Sequence, residues 1–258
     1  MKIVRVLWGD SEYIRSEIPK IPLFGDNEIV FVWGKENKEL LNKYGYKTFY
    51  QNPTSTSTKY SSHLLHFAHK LRAIQLAEDF LDEFLFLDWD ITLAKEIDET
   101  FYEKIRSGND IQCPLYGYHG TYREDVEKYL KEKNGFTLDL DDFLYNHILN
   151  LEKYHWALND LKLLPCFCFL YIRGKFNLGK KLLDIMEKQN IVACIEEFAF
   201  QVYCDCTLEE YINKYEPLVI RGKETDKNLP GMAEAIKTIN YYISGKVKKD
   251  IYLYHDLN

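Results

Sequence analysis

Apolar residues fall in short runs along the first half of the chain, each closed by a glycine or an acid. "IVRVLW" ends at Gly9-Asp10 and "EIVFVW" ends at Gly34. Runs of that length bounded by turn residues predict buried strands. "KENKELLNKYG" predicts a short helix stopped at Gly45, and "KTFYQN" a brief third strand. The polar stretch "NPTSTSTKYSS" can only be a loop, with hydroxyls available to face a ligand. Residues 63–82 then carry the clearest helical period, with Leu64, Phe67, Ala68, Leu71, Ile74 and Leu81 on one stripe. The opposite sector gathers His66, His69, Lys70, Ala73 and Ala77, and basic groups beside small side chains are expected to leave room for a ligand. The strand "EFLFL" follows and runs directly into Asp88-Trp89-Asp90.

The second half alternates less regularly. "DIQCPLYGY" predicts a strand, residues 122–133 a charged surface helix, and "LPCFCFLYIRG" one long buried strand. "LGKKLLDIMEKQ" predicts a helix, "EEFAFQVYCD" a short helix or strand, and "KKDIYLYHDLN" an alternating strand carrying His255. Strand–helix–strand succession implies an α/β fold, a mostly parallel central sheet flanked by helices. No repeat or linker divides the chain, so one domain over 1–258 is expected, with a Rossmann-like half over about 1–100. Ligands of such sheets bind beyond the carboxyl ends of the strands. Asp10, Trp33 and the Asp88/Asp90 pair all stand at predicted strand ends and can converge on one crevice.

Composition narrows the partners. The 258 residues are 46% hydrophobic, 28% charged and 15% aromatic, as a soluble globular chain with an aromatic core would be. A formal net charge of -7 excludes nucleic acid as the main partner, because no basic excess exists to displace counterions. A small anion remains compatible if a metal or a local basic cluster offsets that charge. The longest apolar run, "LLPCFCFLYI", is too short to cross a bilayer and holds a proline. "MKIVRVLWGD" reads as a first strand and not a signal peptide, so a cytoplasmic location is expected. Cys113, Cys166, Cys168, Cys194, Cys204 and Cys206 form no C-x-x-C pair, and reduced core thiols are expected.

Alternate strand residues point to one side with Cα atoms roughly 6.5 Å apart. Asp88 and Asp90 can therefore reach one ion, directly or through water, while Trp89 turns toward the core. Carboxylate oxygens suit hard divalent cations such as Mg2+ or Mn2+, which keep positions open for phosphate oxygens. Two families carry such a signature. "FLFLDWDITL" is similar to the D-x-D-x-T of haloacid-dehalogenase-like phosphatases, in which the first aspartate attacks phosphorus and the second protonates the leaving alcohol. In that family the motif stands near the chain start, whereas 87 residues precede it here. A later hydrophobic strand ending in paired aspartates is also missing, since Asp139, Asp141 and Asp142 follow no such run.

The wider resemblance is to the metal-dependent, D-x-D sugar-nucleotide glycosyltransferases of the GT-A fold. It rests on "IVRVLWGDSEYI", on "HKLRAIQLAEDFLDEFLFLDWDITLAKEID" and on "YLYHDLN". The resemblance implies a single GT-A-like domain, with a nucleotide-sugar-binding half over about 1–100 and an acceptor half over about 101–258. It implies a nucleotide-diphosphate sugar (UDP- or GDP-sugar) as donor, a glycan or other hydroxyl acceptor, and Mn2+ or Mg2+ as cofactor. Asp88 would contact the ribose or the metal through water, Asp90 would ligate the metal, and His255 would be a third ligand; a surface histidine is the alternative. The family's glycine and lysine after that histidine have no match, with Lys246, Lys248 and Lys249 as candidate substitutes.

By the same resemblance Lys70 would face the donor's phosphate or sugar, with Arg72 second, and Asp10 and Trp33 would hold base and ribose. Glu196 and Glu197 stand where an acid faces the acceptor, and an inverting reaction needs one carboxylate as base. Helix-start acids stabilised by the dipole are the alternative. A nucleotidyltransferase lacks its Gly-rich basic N-terminal loop here. A carbohydrate-binding protein of the same fold, without turnover, is the non-enzymatic rival.

Overall fold

The computed structural model describes residues 1–8, 18, 21–51, 64–89, 91–93, 97–117, 163–165, 167–189, 195–215 and 253–255. Its centre is a six-stranded sheet built from β1 (Lys2–Leu7), β2 (Glu28–Trp33), β3 (Thr48–Gln51), β4 (Glu83–Leu87), β6 (Ile111–Gln112) and β9 (Phe169–Arg173). The order is β3-β2-β1-β4-β9-β6. The first three pairings are parallel, in registers such as Val4↔Ile29 and Val4↔Phe86. β9 runs antiparallel to both β4 and β6, with Leu85 opposite Tyr171. The expected α/β class is the observed one, as a mixed sheet that is parallel on one side and antiparallel on the other.

β1, β2 and β4 are apolar with little alternation because both sheet faces are covered. On one face Val4, Val6, Phe31, Phe84 and Phe86 share a core with helices α2 (Leu64–Phe80), α4 (Leu178–Gln189), α5 (Ile195–Cys204) and α6 (Leu208–Lys214). On the other, Ile3, Leu85 and Tyr171 pack with Phe101 and Ile105 of α3 (Glu99–Arg106). Leu7, Val30 and Val32 on that side meet Leu41 of α1 (Lys35–Lys43). Arg106 of α3 fastens to Glu83 at the start of β4 through two bonds of 2.7 Å.

The chain runs β1, β2, β3 outward on one side of β1, then crosses back along α2 to place β4 on the other side. The carboxyl ends of β1 and β4 therefore flank a topological switch point, where open α/β sheets take their ligands.

The small side chains of α2 are not an open face. Ala73 and Ala77 are fully buried, because small residues let a helix covered on two sides approach its neighbours closely. α4 crosses α2 at Gly179, where an added Cβ would lie 2.4 Å from the Gln75 amide nitrogen. Two strands expected as continuous are broken. "DIQCPLYGY" divides around Pro114 into β6 and β7 (Leu115–Gly117), where the Cys113 amide donates to the Tyr215 carbonyl at 2.7 Å. "LPCFCFLYIRG" divides into β8 (Leu163–Pro165) and β9, with a turn at Phe167 and Cys168. β7 and β8 pair with each other outside the main sheet. "EEFAFQVYC", expected as a short helix or strand, is helical in α5. The predicted helix at 122–133 and the loop "NPTSTSTKYSS" lie outside the described residues.

Candidate functional site

Three charged side chains distant in sequence meet at the carboxyl end of β4. The Lys70 ammonium, from the first half of α2, donates to Asp88 Oδ2 at 2.8 Å and to Glu196 Oε1 at 2.7 Å. Lys70 and Glu196 are buried, at 5% and 2% exposure, while the Asp88 side chain keeps 15%. One ammonium is thus shared between two carboxyl groups. Burial alone would pull Lys70 down, but Asp88 and Glu196 outweigh it and hold the ammonium well above the ordinary lysine value. Burial pushes Glu196 up, against the opposing pull of Lys70. Glu196 Oε2 is buried and has no hydrogen-bond partner among the described residues.

The local structure explains how these groups meet. Asp88 is the first residue past β4, and its amide donates to the Cys168 carbonyl at 2.9 Å. That bond continues the β4–β9 register one residue past Leu87 and Phe169, and ties the strand end to the turn preceding β9. Glu196 lies in the first turn of α5, where the helix dipole favours an acid. Glu197 is its neighbour in that turn and is half-buried. Trp33 ends β2 and is buried at 3% exposure. Its ring lies 4.5 Å from that of His69, which also faces Trp8 at 6.4 Å. His69 and Lys70 are thus consecutive on α2 and line the space beyond the ends of β1, β2 and β4.

Trp89 lies in the turn after β4 and packs against the core of Leu7, Val30, Val32 and Leu41, on the sheet face opposite Lys70. Beneath it lies Arg5, fully buried and paired with Glu28 at 3.2 Å. Sequence reasoning passed over Arg5; its signal was a charged residue inside the apolar run "IVRVLW".

Of the expected site residues, Lys70, Asp88 and Glu196 are brought into direct contact, with Glu197 next to them. Trp33 stands at the same end of the sheet, inside the core. Asp10 and Asp90 lie outside the described residues, and so does the His255 side chain. Its backbone is described: β10 (Leu253–His255) pairs antiparallel with β5 (Ile91–Leu93), and His255 is opposite Ile91. That register brings the backbone of residue 255 beside residue 91, three positions past Asp88, despite the sequence separation. By residue type, carboxylates at 88 and 90 with an imidazole at 255 would be hard oxygen donors and one nitrogen, a chemistry that suits Mn2+ or Mg2+. Among the described residues no group of three or more metal-binding side chains is assembled.

No protein-family model matches the chain, and no curated protein does. Solved structures do. Over 99% of its length the chain is similar to the apo form of mouse xyloside xylosyltransferase 1, at 10% identity, 97% coverage of that chain and a TM-score of 0.46. Over 98% of its length it is similar to the WbbM bifunctional glycosyltransferase, at 12% identity, 45% coverage of that chain and a TM-score of 0.44. Over 100% of its length it is similar to the glycosyltransferase GlyE of Streptococcus pneumoniae TIGR4, at 12% identity, 54% coverage of that chain and a TM-score of 0.39. The chain spans about half the length of WbbM and GlyE. At these scores and identities, what the site does is argued from its own residues. Among the described residues no helix is long and apolar enough to cross a membrane.

Proposed function

We propose that this chain is a metal-dependent glycosyltransferase of the GT-A kind, moving a sugar from a nucleotide-diphosphate sugar to a hydroxyl of a glycan acceptor. The observation that carries the reading is the Lys70–Asp88–Glu196 cluster at the switch point of the sheet. Asp88, Asp90 and His255 are the residues that would hold Mn2+ or Mg2+. When bound, the ion supplies charge neutralisation for the departing diphosphate.

The chain's own residues divide the remaining work. Lys70 sets Asp88 and Glu196 at fixed separation, and Asp88, the more exposed of the two, is the carboxylate that accepts a hydrogen bond from a sugar hydroxyl. Glu196 is committed to Lys70 and buried, so it orients the ammonium and does not take a proton from an acceptor. Glu197, in the same helix turn and nearer to solvent, is the carboxylate to act as base in an inverting reaction. Trp33 stands at the end of β2, and base and ribose would lie beyond that end of the sheet, with Asp10 as the further residue that would hold them.

The test is transfer itself. The protein is incubated with UDP- and GDP-sugars, Mn2+ and a panel of glycosides, and the acceptor's mass is followed. A sugar increment that EDTA and Asp88→Asn both abolish is the expected result. Absence of transfer, with phosphate release from small phosphoesters that Asp88→Asn abolishes, would instead make the protein a phosphatase. Absence of both, with stabilisation by free sugars, would make it a binding protein.

A further inference from the structure

The turn that carries Asp88 is held from below by one guanidinium. Arg5 Nη2 lies among three carbonyl oxygens of a single turn, those of Asp88 at 3.3 Å, of Ile91 at 3.5 Å, and of Trp89. Its Nη1 pairs with Glu28, whose other oxygen accepts the Phe24 amide at 3.2 Å. The guanidinium plane lies over the Trp89 ring, 4.3 Å from its centroid. Arg5 is fully buried and Glu28 is 1% exposed, so the arrangement is part of the core and not a surface ion pair.

A charge in that position is expensive to desolvate, and Glu28 alone would satisfy only one side of the fork. The Nη2 donor goes to the turn that links β4 to β5, where Asp88 and Trp89 belong to no strand, while Nε has no hydrogen-bond partner among the described residues. In a trans peptide the carbonyl and the N–H point opposite ways. Drawing the Asp88 carbonyl toward Arg5 therefore fixes the orientation of the Trp89 N–H and the direction in which the chain leaves β4. Lys70 acts on the Asp88 side chain from one face of the sheet, while Arg5 acts on its backbone from the other. An ammonium offers no planar fork and stacks less well on indole, so lysine cannot reproduce the contact.

We propose that Arg5 is a positioning residue that sets the 88–91 turn before any ligand arrives, and through it the presentation of the Asp88 carboxylate. Its consequence for metal binding rests on the glycosyltransferase reading above.

Three variants test this. Arg5→Met strands Glu28 in the core and is expected to fold poorly, so Arg5→Lys and the double variant Arg5→Met/Glu28→Gln carry the measurement. Arg106→Met, which breaks the ion pair with Glu83 at the other end of β4, controls for general loosening. Hydrogen–deuterium exchange of peptides covering 88–91 is expected to rise at least about tenfold in both Arg5 variants, while β1 and β2 stay protected. Binding of Mn2+ alone, titrated by electron paramagnetic resonance, is expected to weaken at least about tenfold in the same variants. Arg106→Met should change neither.

Wild-type exchange in Arg5→Lys would overturn the proposal, since charge alone would then suffice. So would raised exchange with unchanged Mn2+ affinity, or the same local rise in Arg106→Met. Should wild-type protein bind no Mn2+, the glycosyltransferase reading fails, and the exchange comparison alone decides the role of Arg5.

Discussion

Lys70 is the residue on which the site's charge balance turns. Its ammonium separates two carboxylates that would otherwise face each other out of water, at 2.8 and 2.7 Å from it. Removing one member of a buried ionic group costs far more than the net worth of the group, because the remaining charges lose their partner. Lys70→Met is therefore expected to cost about 3–5 kcal/mol in urea unfolding. Glu196→Gln in the same chain should recover part of that loss, because Lys70→Met then leaves one buried charge fewer. A double-mutant cycle with strong coupling between 70 and 196 is the expected outcome; independent effects would show that the two do not stabilise each other. The sequence pointed at Lys70 through its place on the helix before the D-x-D strand, and at Glu196 only as one of two neighbouring acids. It could not choose between Glu196 and Glu197, since that depends on which face of α5 meets α2. Arg5 escaped for a related reason: its partners at 28, 88, 89 and 91 come together only when β1 lies between β2 and β4.

At the scale of elements, the helices and parallel strands were legible because each is set by its own local pattern. The helix expected over 63–82 is observed as Leu64–Phe80, and the strand before Asp88 as Glu83–Leu87. What local pattern could not show was where an apolar run breaks, as it does at Pro114 between β6 and β7 and at Phe167 and Cys168 between β8 and β9. The contact between α2 and α4 was equally hidden. Glu78, on a polar part of the α2 pattern, is buried and accepts the amides of Phe176, Leu178 and Gly179 at 3.2, 3.0 and 3.1 Å. It thus satisfies donors at the start of α4 that the helix itself leaves unpaired. Gly179 is the point of closest approach, where a methyl would fall 2.5 Å from the Leu71 carbonyl oxygen. Gly179→Ala is expected to push the helices apart and cost about 1–3 kcal/mol, read as a lower urea midpoint. Leu71 adjoins Lys70, so the same variant should also loosen the site, with a greater loss of ligand affinity than Arg106→Met produces. A stable Gly179→Ala protein with unaltered affinity would show that α4 can shift without disturbing the α2 residues at the site.

For the whole molecule, the consequence of building a site at the switch point is that its ligand joins elements from across the chain. β1, β4, α2 and α5 all contribute to the space around Asp88, while β10 reaches it through the pairing with β5. A ligand bound there acts on the native state alone, because these elements do not meet in the unfolded chain. Mass action then sets the size of the effect: at a ligand concentration 100 times its dissociation constant, stabilisation is about 2.7 kcal/mol. For a chain of this length each kcal/mol moves the melting midpoint by roughly 2–4 °C. Saturating Mn2+ and UDP together should therefore raise it by about 5–10 °C, and EDTA should reverse the rise. Asp88→Asn, read against its own unliganded midpoint, should gain almost nothing from either addition. A shift of the same size that survives EDTA, or that persists in Asp88→Asn, would place nucleotide binding away from this cluster and remove the basis for a metal clamp at the end of β4.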